Sequence, residues 1–96
     1  METRDVIKEA VRIIRRHLSR GQAEIFLFGS QAKGTSSNGS DIDIAILGKK
    51  RIDDLLFLRI KEEVRAIPTL RKIDLVDLDR SAASFKKAVL SHAQTL

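Results

Sequence analysis

The first third of the chain carries apolar residues at the spacing of an amphipathic helix. Between Thr3 and Arg20 every third or fourth residue is apolar: Ile7, Val11, Ile14 and Leu18. Thr3 is a suitable N-cap and Gly21 follows the last apolar position, so we predict one helix over this segment. Residues 25–28 form an apolar run without alternation, which is typical of a strand covered on both faces.

A second strand is predicted from strict alternation over residues 41–47. Its two faces carry Ile42, Ile44 and Ile46 on one side, and Asp41, Asp43 and Ala45 on the other. Because strand side chains alternate with a period of two, the two aspartates share a face. The segment is therefore expected to be a strand with an acidic face.

The remainder of the chain reads as helix, strand and helix. Asp53 and Asp54 open a helix that stops before Pro68, with Leu56, Ile60 and Val64 on its inner side. A third strand follows over residues 73–78. We expect Asp79 or Ser81 to cap a last helix whose inner side is Phe85, Val89 and Ala93.

This order of elements predicts an α/β (α+β) fold with a small mixed sheet flanked by helices. The 96 residues are enough for one core, so we expect residues 1–96 to form a single domain. Cysteine is absent, which excludes disulfides and thiolate zinc sites and makes the cytoplasm the expected compartment. The apolar runs are much shorter than the roughly 20 residues of a transmembrane helix, so no membrane partner is expected.

The charge balance favours anionic partners. Lys and Arg exceed Asp and Glu by 18 to 13, giving a net charge of +5. Trp and Tyr are absent and only four Phe are present, which leaves little aromatic surface for stacking bases. Nucleotides therefore fit better than nucleic acid as the main partner.

Small polar residues fill the segment between the first two strands. Gly29 and Ser30 end the apolar run, and ten residues separate Ser30 from Asp41. Backbone N–H groups in such a loop, together with the Ser30 hydroxyl, are suited to binding phosphate oxygens. This places an expected phosphate site directly before the acidic strand.

Three carboxylates are expected to lie near this loop. Asp41 and Asp43 share a strand face, and Asp74 lies opposite Ile73 and Leu75 on the third strand. Two carboxylates about 5.5 Å apart repel by roughly 3 kcal/mol at an effective dielectric near 20. A hard cation with oxygen ligands, Mg²⁺ or Mn²⁺, relieves that repulsion. The sequence thus predicts a carboxylate metal site beside a phosphate loop.

The combination of these motifs resembles the minimal nucleotidyltransferase family of the DNA polymerase beta-like superfamily. The resemblance covers residues 25–78 and rests on Gly29-Ser30, the ten-residue spacer, Asp41-Ile42-Asp43 and Ile73-Asp74-Leu75-Val76. It implies that Asp41, Asp43 and Asp74 bind two Mg²⁺ ions and that Gly29 and Ser30 hold a nucleoside triphosphate. Lys33 stands where many members have Arg, and it is the third expected nucleotide-binding residue.

Members of this family often act as antitoxins to HEPN-domain proteins. The resemblance therefore implies transfer of AMP from ATP to a tyrosine hydroxyl of a HEPN-type partner within a hetero-oligomer. Two alternatives stay open at this point. The domain is a non-catalytic module that binds nucleotide or occludes its partner, or it transfers a nucleotide to a small molecule or RNA.

Overall fold

Three helices and four strands make up the part of the chain that the computed structural model describes, which is residues 2–29 and 41–96. In chain order they are α1 (Thr3–His17), β1 (Ala23–Phe28), β2 (Ile42–Gly48), α2 (Asp54–Arg65), β3 (Ile73–Asp77), α3 (Ala83–His92) and β4 (Gln94–Thr95). A 3-10 turn, Leu78–Arg80, follows β3. None of these helices has the length and apolar character needed to cross a membrane.

The strands form a mixed sheet in the order β3-β2-β1-β4. β1 runs antiparallel to both β2 and β4, whereas β2 and β3 run parallel. The expected mixed sheet flanked by helices is therefore confirmed. The two-residue strand β4 was not predicted, because two polar residues carry no periodic signal.

One face of the sheet packs against α1 and α2 and forms the larger core. Its strand residues include the alternating isoleucines of β2, and α2 contributes Ile60 and Val64 as predicted. The buried side of α1 agrees with the prediction in part. Ile14 and Leu18 are buried as expected, whereas Ile7 and Val11 lie at the partly buried border, and Val6, Ala10 and Ile13 are buried in addition. Ala10 is fully buried on this side, where its small side chain packs against the core.

The other face of the sheet carries a smaller core, built from Phe26, Ala45, Leu78 and Val89. Helix α3 covers this face only in part. Phe85, predicted to be internal, remains 41% exposed and contacts Phe28 edge to face, with ring centroids 6.0 Å apart. The smaller core therefore ends at the Phe28–Phe85 pair, which is partly exposed to solvent.

Helix capping agrees with the sequence at one of three positions. Asp53 caps α2 as predicted, accepting hydrogen bonds of 3.1 Å from the backbone N–H groups of Leu55 and Leu56. The other two predictions were wrong. Glu2 precedes α1 and Ala82 precedes α3, and neither makes a side-chain cap. Ser81 instead donates its hydroxyl to the Asp77 carbonyl oxygen, because the 3-10 turn intervenes before α3.

Arg80 joins the end of β3 to the start of α2. Its guanidinium donates to the Ile52 carbonyl oxygen at 2.6 Å and pairs with Asp54. Its Nε lies 3.2 Å from Oδ2 of buried Asp77, at an angle that makes this an ion pair rather than a hydrogen bond. Burial raises the pKa of Asp77, which shows that its charge is only partly compensated.

We expect Arg80→Gln to lower the free energy of unfolding by about 2 kcal/mol, because it removes the cation 3.2 Å from the buried Asp77 carboxylate together with the ion pair to Asp54. Urea denaturation at neutral pH measures this loss. Adding Asp77→Asn to the same chain should recover part of it. A change below about 0.5 kcal/mol in the single variant would mean that Arg80 is an ordinary surface residue.

Candidate active site

The parallel pairing of β2 and β3 places two of the predicted carboxylates side by side. Asp43 is the direct partner of Asp74, and the antiparallel pairing with β1 puts Phe28 opposite Asp43 on its other side. Neighbouring strands are about 4.8 Å apart, and paired residues point to the same face. Asp43 and Asp74 therefore project together from the face that carries the smaller core.

Gly29 ends β1 directly beside Asp43. Its φ of 73° lies in the left-handed region, where glycine is strongly favoured. A Cβ at this position would collide with Oδ2 of Asp43. The chain thus turns over the carboxylate at a point where no side chain fits. Ser30 and Lys33, the other two expected nucleotide-binding residues, lie outside the described residues.

The electrostatics of Asp43 reflect a crowded acidic site. Burial raises its pKa, and the charges of Asp74 and Asp41 and a hydrogen bond with Asp74 raise it further. Lys72 acts in the opposite direction. Its Nζ lies 3.7 Å from Oδ1 of Asp74, and both side chains are largely exposed, so this ion pair is weak. The acidic pair is therefore incompletely neutralised.

Asp41 lies exposed just before β2, close enough for its charge to raise the pKa of Asp43. Within residues 2–29 and 41–96, no group of three or more His, Cys, Asp or Glu side chains is arranged as a metal site. The structure thus brings Asp43 and Asp74 together, and the three-carboxylate site stays a prediction.

A cleft of about 570 Å³ contains the acidic pair. Besides Asp43 and Asp74 it is lined by basic residues (Lys61, Arg65, Arg71, Lys72), by apolar residues (Phe28, Ile73, Leu75, Val76, Phe85) and by Thr69. The net charge of +5 indicated an anionic partner. It did not single out Lys61 and Arg65, whose spacing of four residues on α2 was the available signal.

Paired carboxylates on adjacent strands, beside a glycine turn, are suited to holding a divalent ion against phosphate groups. With the mixed sheet and its flanking helices, they define a domain of the nucleotidyltransferase type. The family model described as Polymerase beta, Nucleotidyltransferase matches residues 7–96. The chain therefore belongs to this family.

Comparison with individual proteins agrees with this assignment. The chain is 29% identical to the protein adenylyltransferase MntA of Shewanella oneidensis over 86 residues, and these residues make up 90% of this chain. The chain spans 60% of the length of that relative.

Two solved structures share the fold. A toxin-antitoxin crystal structure with AMP-PNP matches with a TM-score of 0.71 and 26% identity, over 92% of this chain and 69% of that one. A complex of a tri-AMPylated Shewanella oneidensis HEPN toxin with an MNT antitoxin matches with a TM-score of 0.70 and 21% identity. The match covers 96% of this chain and 69% of that one.

We expect Gly29→Ala to destabilise the protein by about 1 to 2 kcal/mol, because alanine is strained at positive φ and its Cβ displaces Asp43. Urea denaturation measures the change. Gly21→Ala is the matched control, since a Cβ there meets only Oγ of Ser19 at 3.8 Å. Equal effects of the two substitutions would contradict a special role for Gly29.

We expect Asp43→Asn to stabilise the protein at neutral pH in the absence of divalent cations. The folded-state pKa of Asp43 is raised from 3.8, so the wild type loses stability as pH rises from 3.8 through that raised value. The variant lacks this loss, and its advantage should grow between pH 4 and pH 7. Urea denaturation in EDTA at both values tests this, with exposed Asp53→Asn as control. If Asp43→Asn were less stable than the wild type at pH 7, that result would contradict the repulsion between the Asp43 carboxylate and its acidic neighbours.

Proposed function

We propose that this domain is a metal-dependent nucleotidyltransferase that transfers AMP from ATP to a tyrosine hydroxyl of a HEPN-type partner, and so acts as an antitoxin. The observation that carries the proposal is the Asp43–Asp74 pair beside the Gly29 turn. The name of the MntA relative and the AMPylated HEPN toxin in the similar complex support the donor group and the partner.

Asp41, Asp43 and Asp74 would hold the metal, with two Mg²⁺ ions expected and Mn²⁺ as a substitute. The raised pKa of Asp43 fits this role, because a cation between the two carboxylates would compensate repulsion that Lys72 leaves in place. When bound, the ions supply Lewis-acid stabilisation of the phosphates and lower the pKa of the acceptor hydroxyl.

The protein residues have separate roles in the transfer. Gly29, Ser30 and Lys33 bind the triphosphate, and Asp74 accepts the proton of the attacking hydroxyl. The hydroxyl oxygen forms a bond to the α-phosphorus of ATP while the bond from that phosphorus to the bridging oxygen breaks. Pyrophosphate leaves, and AMP remains on the acceptor as a phosphodiester.

A second candidate function stays open, which is a module that binds and occludes its partner without catalysis. The two candidates differ in whether a phosphoryl bond is made, so a transfer assay separates them.

We expect Asp43→Asn to reduce AMP transfer at least about 1,000-fold, because it removes a charged oxygen from the expected metal site. The assay combines the protein, Mg²⁺, labelled ATP and a HEPN-domain partner, and follows label on the partner. Asp53→Asn is the matched control, since asparagine also caps helices well.

Label that disappears in Asp43→Asn and persists in Asp53→Asn supports the transferase. A stable complex without label, with unchanged inhibition of the partner by Asp43→Asn, would establish occlusion instead. Label on RNA or on a small molecule in place of the partner would refute the choice of acceptor.

A further inference from the structure

The cleft that contains Asp43 and Asp74, which we name the acceptor cleft, has more positive charge on its basic side than its carboxylates neutralise. Lys61 and Arg65 lie one turn apart on α2, and Lys72 lies just before β3. The ion pairs found in residues 2–29 and 41–96 include neither Lys61 nor Arg65. Nearby Glu63 is engaged by Arg16 and His17 instead. An anionic ligand is therefore expected here.

The position of these cations separates them from the expected triphosphate site. Gly29 lies on the β1 side of Asp43, whereas Asp74 lies on the β3 side. In phosphoryl transfer the attacking and leaving oxygens stand on opposite sides of the phosphorus. If the triphosphate extends toward Gly29, the acceptor must enter from the β3 side. The cations therefore line the acceptor's path.

The outline of the cleft suits an extended ligand. It follows four consecutive residues of β3, from Ile73 to Val76. β3 is the outermost strand on its side of the sheet. At about 3.3 Å per residue, this edge accommodates a segment of roughly four residues. Such a segment would have its middle beside Asp74 and its flanks within reach of the cations.

We propose that the acceptor cleft binds an extended, acidic peptide segment of the acceptor protein, with carboxylates flanking the acceptor hydroxyl placed against Lys61, Arg65 and Lys72. This inference rests on the proposed function and specifies the chemistry of its acceptor. Lys61 and Arg65 are then specificity-determining residues, which select the acceptor through charge and take no part in the transfer itself.

Peptide binding tests the proposal without requiring catalysis. The probes are three fluorescein-labelled nine-residue peptides with a central tyrosine, flanked by Glu, Gln or Lys at alternate positions. Fluorescence anisotropy at low salt should show the Glu peptide binding at least about tenfold more tightly than the Gln peptide. Lys61→Gln/Arg65→Gln should remove that preference.

Lys50→Gln/Arg59→Gln is the matched control, because it makes the same change in net charge at exposed positions outside the cleft. It should keep the preference for Glu. Lys61→Glu/Arg65→Glu should in turn bind the Lys peptide better than the Glu peptide. A circular dichroism spectrum of each variant verifies that it is folded.

Equal binding of the Glu and Gln peptides by the wild type would overturn the proposal, as would an equal loss in the control variant. The proposal would also be overturned if a short RNA displaced the Glu peptide at a concentration much lower than that of unlabelled Glu peptide needed for the same displacement. AMP transfer to a HEPN partner without any charge preference would refute this inference alone. Charge-selective binding without AMP transfer would refute only the proposed function.

Discussion

The parallel register between β2 and β3 is the constraint on which the candidate site depends. It aligns Asp43 with Asp74, so two carboxylates that are 31 positions apart in the sequence share one face of the sheet. A shift of one residue would move one of them into the larger core, because side chains alternate between faces. The alternating isoleucines of β2 oppose that shift, since a one-residue change of face would turn them out of the larger core. The packing that stabilises the fold therefore also positions the acidic pair.

Two aspartates of β3 illustrate how the same residue type serves structure and function. Asp77 points toward the larger core, where it accepts a hydrogen bond from the N–H of Asp79 and pairs with Arg80. Asp74 points to the opposite face, into a cleft where its cation contact is weak. The first carboxylate is buried and partly compensated by these protein groups, whereas the second faces a cleft in which a ligand can compensate its charge. Unrelieved repulsion at a site is a typical mark of function rather than of stability.

Local patterns in the sequence predicted the elements and the faces of the strands. The alternation in β2 and the position of Asp74 opposite Ile73 and Leu75 indicated the acidic face correctly, since strand periodicity is a local property. The register between strands is not local, and no single-sequence signal gave the pairing of Asp43 with Asp74. The helical spacing located the buried side of α1 only in part, and in α3 it placed Val89 and Ala93 correctly but not Phe85. Phe85 lies at the edge of the cleft, where the smaller core ends.

The central claim is that Asp43 and Asp74 together bind a divalent cation next to a nucleotide. A crystal structure with Mn²⁺ and a non-hydrolysable ATP analogue tests it most directly, because anomalous scattering locates manganese independently of the protein atoms. The account predicts an anomalous peak about 2.2 Å from a carboxylate oxygen of each of the two residues, with the triphosphate on the Gly29 side. Manganese bound elsewhere, or nucleotide bound with no metal between the two strands, would contradict the account.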